Sequence, residues 1–174
     1  MPQVVIDTGA SKRRARMMGA GVVVVVLAVV VGVFVFMKLQ KPDTAVATKQ
    51  TLLKAQDNSF SGKYDAAIAS LRTQLTAVKT NEEKLSLYAA IGSNYEAKGD
   101  FPGALDAYKT GQALMETYGI DFSVARAAES AGNKAVALDF YKRCQKMIKD
   151  GTSKQHAGEL PRIEAAITRV GGTP

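Results

Sequence analysis

The stretch Tyr88-x-x-Ile91-Gly92-x-x-Tyr95-x-x-x-Gly99-Asp100-Phe101-x-x-Ala104-x-x-x-Tyr108-x-x-Gly111 decides how the chain is read. Its apolar and small residues recur at three- and four-residue intervals on both sides of Gly99-Asp100, so two amphipathic helices are joined by a tight turn. Thirty-three residues on, Val124, Ala125, Ala128, Gly132, Ala137, Tyr141 and Cys144 repeat Ile91, Gly92, Tyr95, Gly99, Ala104, Tyr108 and Gly111 in one register. A weaker earlier copy keeps Gly62, Tyr64, Ala67 and Leu71 in place of Gly99, Phe101, Ala104 and Tyr108. Its offset of thirty-seven residues implies a longer connection through Lys79-Thr80-Asn81. Self-similarity at this period is the mark of a helical solenoid.

The spacing resembles the tetratricopeptide repeat (TPR), a helix-turn-helix unit of about 34 residues. Each signature residue has a physical reason. Gly99 and Gly132 take the positive φ that ends a helix abruptly, and Asp100 and Asn133 cap the helix that follows. Gly92, Ala104, Ala125 and Ala137 are small where helices cross, while Tyr88, Tyr95, Phe101, Tyr108 and Tyr141 fill the space between pairs. The pattern departs from the family in two respects: the second helices lack its terminal proline, and Tyr88 stands where tryptophan is common. In the last copy Asp121 and Ala128 replace aromatic first-helix positions, so that helix is expected to be short and loosely packed.

A solenoid needs a polar-faced end. Leu160, Ile163, Ala166, Ile167 and Val170 follow helical spacing before Gly171-Gly172, which predicts a capping helix over 159–170. The other helices are expected near 43–58, 64–78, 82–98, 101–116, 121–131 and 134–149. The fold class is therefore all-α: a TPR-like domain over 48–170 with about two and a half repeats, a tail at 171–174, and a transmembrane helix ahead of it.

That helix is read from Met18-Gly-Ala-Gly-Val-Val-Val-Val-Val-Leu-Ala-Val-Val-Val-Gly-Val-Phe-Val-Phe-Met37, which has no charge. As a helix it covers about 30 Å, the thickness of a bilayer's hydrocarbon core. Its Val, Leu and Phe side chains favour insertion by about 4 to 8 kcal/mol. Lys12, Arg13, Arg14 and Arg16 precede it and only Lys38 and Lys41 follow closely, so the positive-inside rule puts the basic tail 1–17 in the cytoplasm. The segment 38–47 is then a linker, and the repeat domain lies outside the cytoplasm. Ala45-Val46-Ala47 has the form of a signal-peptidase site, and release after Ala47 is the alternative to a permanent anchor. Gly21, Ala28 and Gly32 share a face suited to a weak homodimer.

The net charge of +7 divides unevenly. Residues 1–41 carry six basic groups and one acidic, while the remaining 133 carry seventeen and fifteen, so +5 sits at the anchor and +2 in the domain. That distribution suits anionic headgroups and argues against a nucleic-acid partner. Cys144 is the only cysteine and His156 the only histidine. Disulfides within the chain and multi-cysteine metal sites are excluded, and no catalytic constellation, cofactor loop or metal-ligand spacing is present. Cys144 reads as a buried small residue, and His156 as part of a polar loop. The resemblance implies a groove lined by first helices that takes another protein or peptide, with Gln56, Ser93, Glu96, Arg126 and Glu129 facing it. The expected function is a membrane-tethered scaffold or assembly factor, with structural self-assembly as the alternative.

Overall fold

Turn chemistry recurs almost atom for atom along the domain. In the computed structural model, which describes residues 44–174, Gly62, Gly99 and Gly132 have φ of 71°, 84° and 77°. At each, two amides reach back into the preceding helix: Gly99 N to Glu96 O and Asp100 N to Tyr95 O, both 2.9 Å, and Gly132 N to Glu129 O and Asn133 N to Ala128 O, 3.0 and 2.8 Å. This is the Schellman closure, which only a left-handed residue completes without strain. Asp100 Oδ1 then accepts from Gly103 N, and Asn133 Oδ1 from Val136 N, to start the next helix.

These stops and starts delimit α1 (Thr44–Phe60), α2 (Tyr64–Leu75), α3 (Asn81–Lys98), α4 (Phe101–Leu114), α5 (Tyr118–Ser130), α6 (Lys134–Lys149), a 3-10 turn (Lys154–Glu159) and α7 (Leu160–Arg169). Each helix packs on the next, and the first helices α1, α3 and α5 also touch in series. Among the described residues there is no strand. One core gathers Ala55, Ala67, Leu71, Leu87 and Ile91, and a second gathers Val124, Ala125, Tyr141, Cys144, Ile163 and Ile167. Tyr95 packs against both.

Gly92 and Gly111 carry the closest helix crossings. A Cβ on Gly92 would lie 2.6 Å from Cδ1 of the buried Tyr108 ring, and one on Gly111 would lie 3.1 Å from Cβ of Tyr88. Ala104, Ala125 and Ala137 are fully buried at equivalent crossings.

Several expectations are revised. The first helix of the last copy is neither short nor loose: α5 has 13 residues and buries Ile120, Val124, Ala125, Ala127 and Ala128. Thr117 Oγ1 caps it by accepting from Ile120 N, and its aromatics enter from Tyr118 and Phe122 instead of the register positions. His156 does not sit in an open loop. It belongs to the 3-10 turn, stacks on Tyr118 with centroids 4.0 Å apart, and its Nδ1 meets Glu159 Oε1 at 3.0 Å. Glu159 also accepts from Tyr118 Oη at 2.9 Å, so the clasp closes the domain between residues 41 positions apart. Helix α1 begins at Thr44, close to the start expected for a helix near 43–58, so Ala45-Val46-Ala47 occupies its first turn.

The chain divides into two units, Met1–Pro42 and Asp43–Pro174. The expected membrane span at 18–37 and its basic tail lie outside the described residues. No helix among the described residues is long and apolar enough to cross a membrane.

Candidate docking face

The first helices present side chains that the repeat brings to equivalent places. Glu96 on α3 and Glu129 on α5 are thirty-three residues apart, and each accepts from a tyrosine twelve residues further on. Tyr108 Oη donates to Glu96 Oε2 at 3.0 Å and Tyr141 Oη to Glu129 Oε2 at 2.8 Å. Burial, reinforced by the adjacent carboxylate, raises both tyrosine pKa values well above the ordinary range. They remain neutral donors at physiological pH. The two glutamates therefore lock each first helix to its second.

Arginines join this framework from neighbouring repeats. Arg126 Nη2 approaches Glu96 Oε1 at 3.6 Å, linking α5 to α3. Arg169 on α7 forks onto Glu129, with Nη2 2.9 Å from Oε2 and Nε on Oε1. The Arg169 guanidinium lowers the Glu129 pKa, and Glu129 in turn raises that of Arg169.

Two recesses open along this face. One, between α1 and α3, is lined by Leu52, Gln56, Phe60, Ala90, Ser93 and Asn94. The other lies between α5 and α7, where Arg126, Arg162 and Arg169 surround Phe122, Glu129 and Tyr141. Arg162 places its Cζ 5.1 Å from the Phe122 centroid, so its charge is held by a ring face. Arg126 and Arg169 each meet a carboxylate, Glu96 and Glu129, while Arg162 meets only a ring face, which leaves this recess with an unmatched cation for an anionic group.

The structure thus brings Gln56 and Ser93 together in the first recess and Arg126 with Glu129 in the second, while Glu96 bridges α3 and α5 through Arg126. The repeat register alone does not reveal Asn94, Phe122, Arg162 or Arg169. Asn94 is 5% exposed; its Nδ2 donates to Ala90 O at 2.8 Å, and its Oδ1 has no partner. Arg162 and Arg169 do carry a sequence signal, seven residues apart on one face of the capping helix, but only the fold brings their side chains to Phe122 and Glu129 on α5.

Cys144 is fully buried, with Sγ 3.8 Å from Tyr118 O. Burial, with the Asp121 carboxylate adding to it, pushes the thiol up to about 12. On the order of one molecule in 10⁴ carries the thiolate at pH 8. Alkylation by iodoacetamide should therefore be negligible over an hour in the native state and rapid in 6–8 M urea; equal rates in both would contradict the burial. Among the described residues, no group of three or more His, Cys, Asp and Glu is placed to hold a metal ion.

No protein-family model matches the sequence, and a comparison with curated proteins gives no match either. Solved structures do resemble the fold. The Yersinia enterocolitica type III secretion chaperone SycD, in complex with a peptide of the translocator YopD, superposes with a TM-score of 0.59 at 17% identity, covering 70% of this chain and 90% of that one. PcrH from Pseudomonas aeruginosa superposes with a TM-score of 0.60 at 15% identity, covering 71% and 91%. The all-α, TPR-like helical-repeat fold is shared with both.

Proposed function

We propose that this chain is a membrane-tethered docking module whose first-helix face takes a peptide segment of another protein, and that it serves as a scaffold or assembly factor. The observation that carries the reading is the pair of recesses bordered by first helices, one between α1 and α3 lined by Leu52, Phe60 and Ala90 together with Gln56, Ser93 and Asn94, the other between α5 and α7 lined by arginines. A peptide laid across them would set an acidic residue or a terminal carboxylate against Arg126 and Arg162. The fold is that of a chaperone whose structure holds a translocator peptide, which supports a peptide as occupant here. The tether is residues 18–37, with 1–17 cytoplasmic and the helical domain on the opposite side. Tethering raises the effective concentration of the face near partners in the same membrane. No reaction is assigned to the chain.

The test of docking is fluorescence anisotropy on the full chain in nanodiscs, with a labelled peptide panel that differs only in acidic residues or their amides. Acidic peptides should bind, and Arg162→Glu should weaken them by roughly tenfold, an effect shrinking as salt rises. Arg162 has no ion pair among the described residues, so its replacement should leave the fold intact. Equal binding of acidic and amide peptides would refute the arginine recess as the docking end. Orientation is tested separately: a carboxy-terminal reporter that works only in the cytoplasm should be silent, and activity would reverse the topology.

A further inference from the structure

Val46, Leu53 and Phe60 are the exposed large hydrophobic residues among the described part of the chain, at 53%, 53% and 83%. All three lie on α1, seven residues apart, in one straight stripe opposite the buried Thr48 and Ala55. At 3.6 residues per turn such a spacing drifts by only about 20° per step, so the stripe faces a single direction. It sits where a solenoid needs a polar cap. The far end has one, since α7 turns Arg162, Ala165, Thr168 and Arg169 outward. A terminal helix with an apolar outer face is an unfinished end.

The charges beside the stripe indicate what finishes it. Lys49 lies four residues before Leu53 and Asp57 four after; Val46 lies seven before and Phe60 seven after. Both Lys49 and Asp57 are exposed, and neither forms an ion pair among the described residues. The sequence around Leu53 is thus self-complementary when read against its own reverse. We propose that two copies of this chain pair through α1, antiparallel about a twofold axis at Leu53. Leu53 then meets Leu53 of the other copy, Val46 meets Phe60, and Lys49 comes level with Asp57 twice. A twofold interface requires this reciprocity, with residue i on j and j on i. A parallel pair would instead set Lys49 against Lys49 and Asp57 against Asp57. The pairing leaves the arginine recess between α5 and α7 uncovered, and it shares Phe60 with the recess between α1 and α3.

Cysteine crosslinking of the full chain in detergent tests it, with the inert Cys144 as internal background and Lys109→Cys reporting random collision. Leu53→Cys should give a disulfide-linked dimer under mild oxidation. Val46→Cys alone and Phe60→Cys alone should stay at the collision level, whereas a mixture of the two should crosslink. Lys49→Asp should reduce the Leu53→Cys dimer severalfold, and adding Asp57→Lys should restore it. The proposal is overturned if Leu53→Cys yields no more dimer than Lys109→Cys. It is equally overturned if Val46→Cys crosslinks with itself as well as Leu53→Cys does, which would make the pair parallel. An end covered by lipid or by another protein would give the first of these results.

Discussion

Gly92→Val should unfold most of the domain or leave it stable by only a small margin, with a loss of at least about 3 kcal/mol in urea titrations of helical ellipticity. Gly92 lies in the middle of α3, where glycine is otherwise unfavourable by about 1 kcal/mol relative to alanine. It is retained against that cost because Tyr108 occupies the space. A Cβ would lie 2.6 Å from Cδ1 and 2.7 Å from Cζ of that ring, which is 3% exposed and tethered by its hydroxyl to Glu96. Overpacking of this kind costs about 1–3 kcal/mol for one methyl and more for a branched side chain. Total stabilities of about 5–15 kcal/mol leave little reserve. Gly92→Ala should lose about 1 kcal/mol net, since its helix gain offsets part of the clash. In a Tyr108→Leu background the same alanine should turn neutral or stabilising, because the ring is gone. Additive losses in that cycle would show that contact with Tyr108 is not the reason for glycine.

Asp121→Asn should stabilise the domain at neutral pH. Asp121 is fully buried in the first turn of α5, and its carboxylate lacks a well-formed hydrogen bond, with the side chains of Glu116 and Gln112 as its polar neighbours. Desolvation, with the neighbouring Glu116 carboxylate adding to it, raises its pKa to about 6 from 3.8. A carboxyl with a raised folded-state pKa binds its proton more tightly when folded. Its contribution to stability is complete below about pH 3.8 and is lost as pH rises through 6. Two pKa units correspond to about 3 kcal/mol at most, and the favourable position at a helix N-terminus returns up to about 1. Asp121→Asn should therefore gain about 1–3 kcal/mol at pH 7.5, and the gain should fade toward pH 4. Destabilisation at pH 7.5 would mean that the ionised carboxylate is needed where it sits.

These two residues mark how far the sequence can be read. Gly92 was legible because crossings repeat: its counterpart thirty-three residues on is Ala125, and small residues at one register position announce close approach. Asp121 was misread for the same reason. It broke the register, and the register suggested a loose helix, whereas Thr117, Tyr118 and Phe122 cap and pack that helix from outside the repeat positions. The residues expected at a groove show the same division. Gln56, Ser93, Glu96, Arg126 and Glu129 could be named from the family's spacing, but the sequence did not reveal that Glu96 and Glu129 also hold Tyr108 and Tyr141.

The sequence by itself determined the helices, their turns, the period that stacks them and a hydrophobic run of membrane-spanning length. All of these depend on neighbours within a few residues: φ at Gly99 and Gly132, side chains at i, i+3 and i+4, and unbroken apolarity. The tertiary structure alone decided that Arg162 and Arg169 join Arg126 around Phe122, that His156 is clasped to Tyr118 and Glu159, and that the large exposed hydrophobic residues among the described ones gather on one face of α1. The contacts Arg162–Phe122, Arg169–Glu129, His156–Tyr118 and Glu159–Tyr118 join residues 38 to 41 positions apart, so they exist only once the end of the chain folds back beside α5. Exposure is decided in the same way: Val46, Leu53 and Phe60 are left outside because the opposite side of α1 packs against α2 and α3.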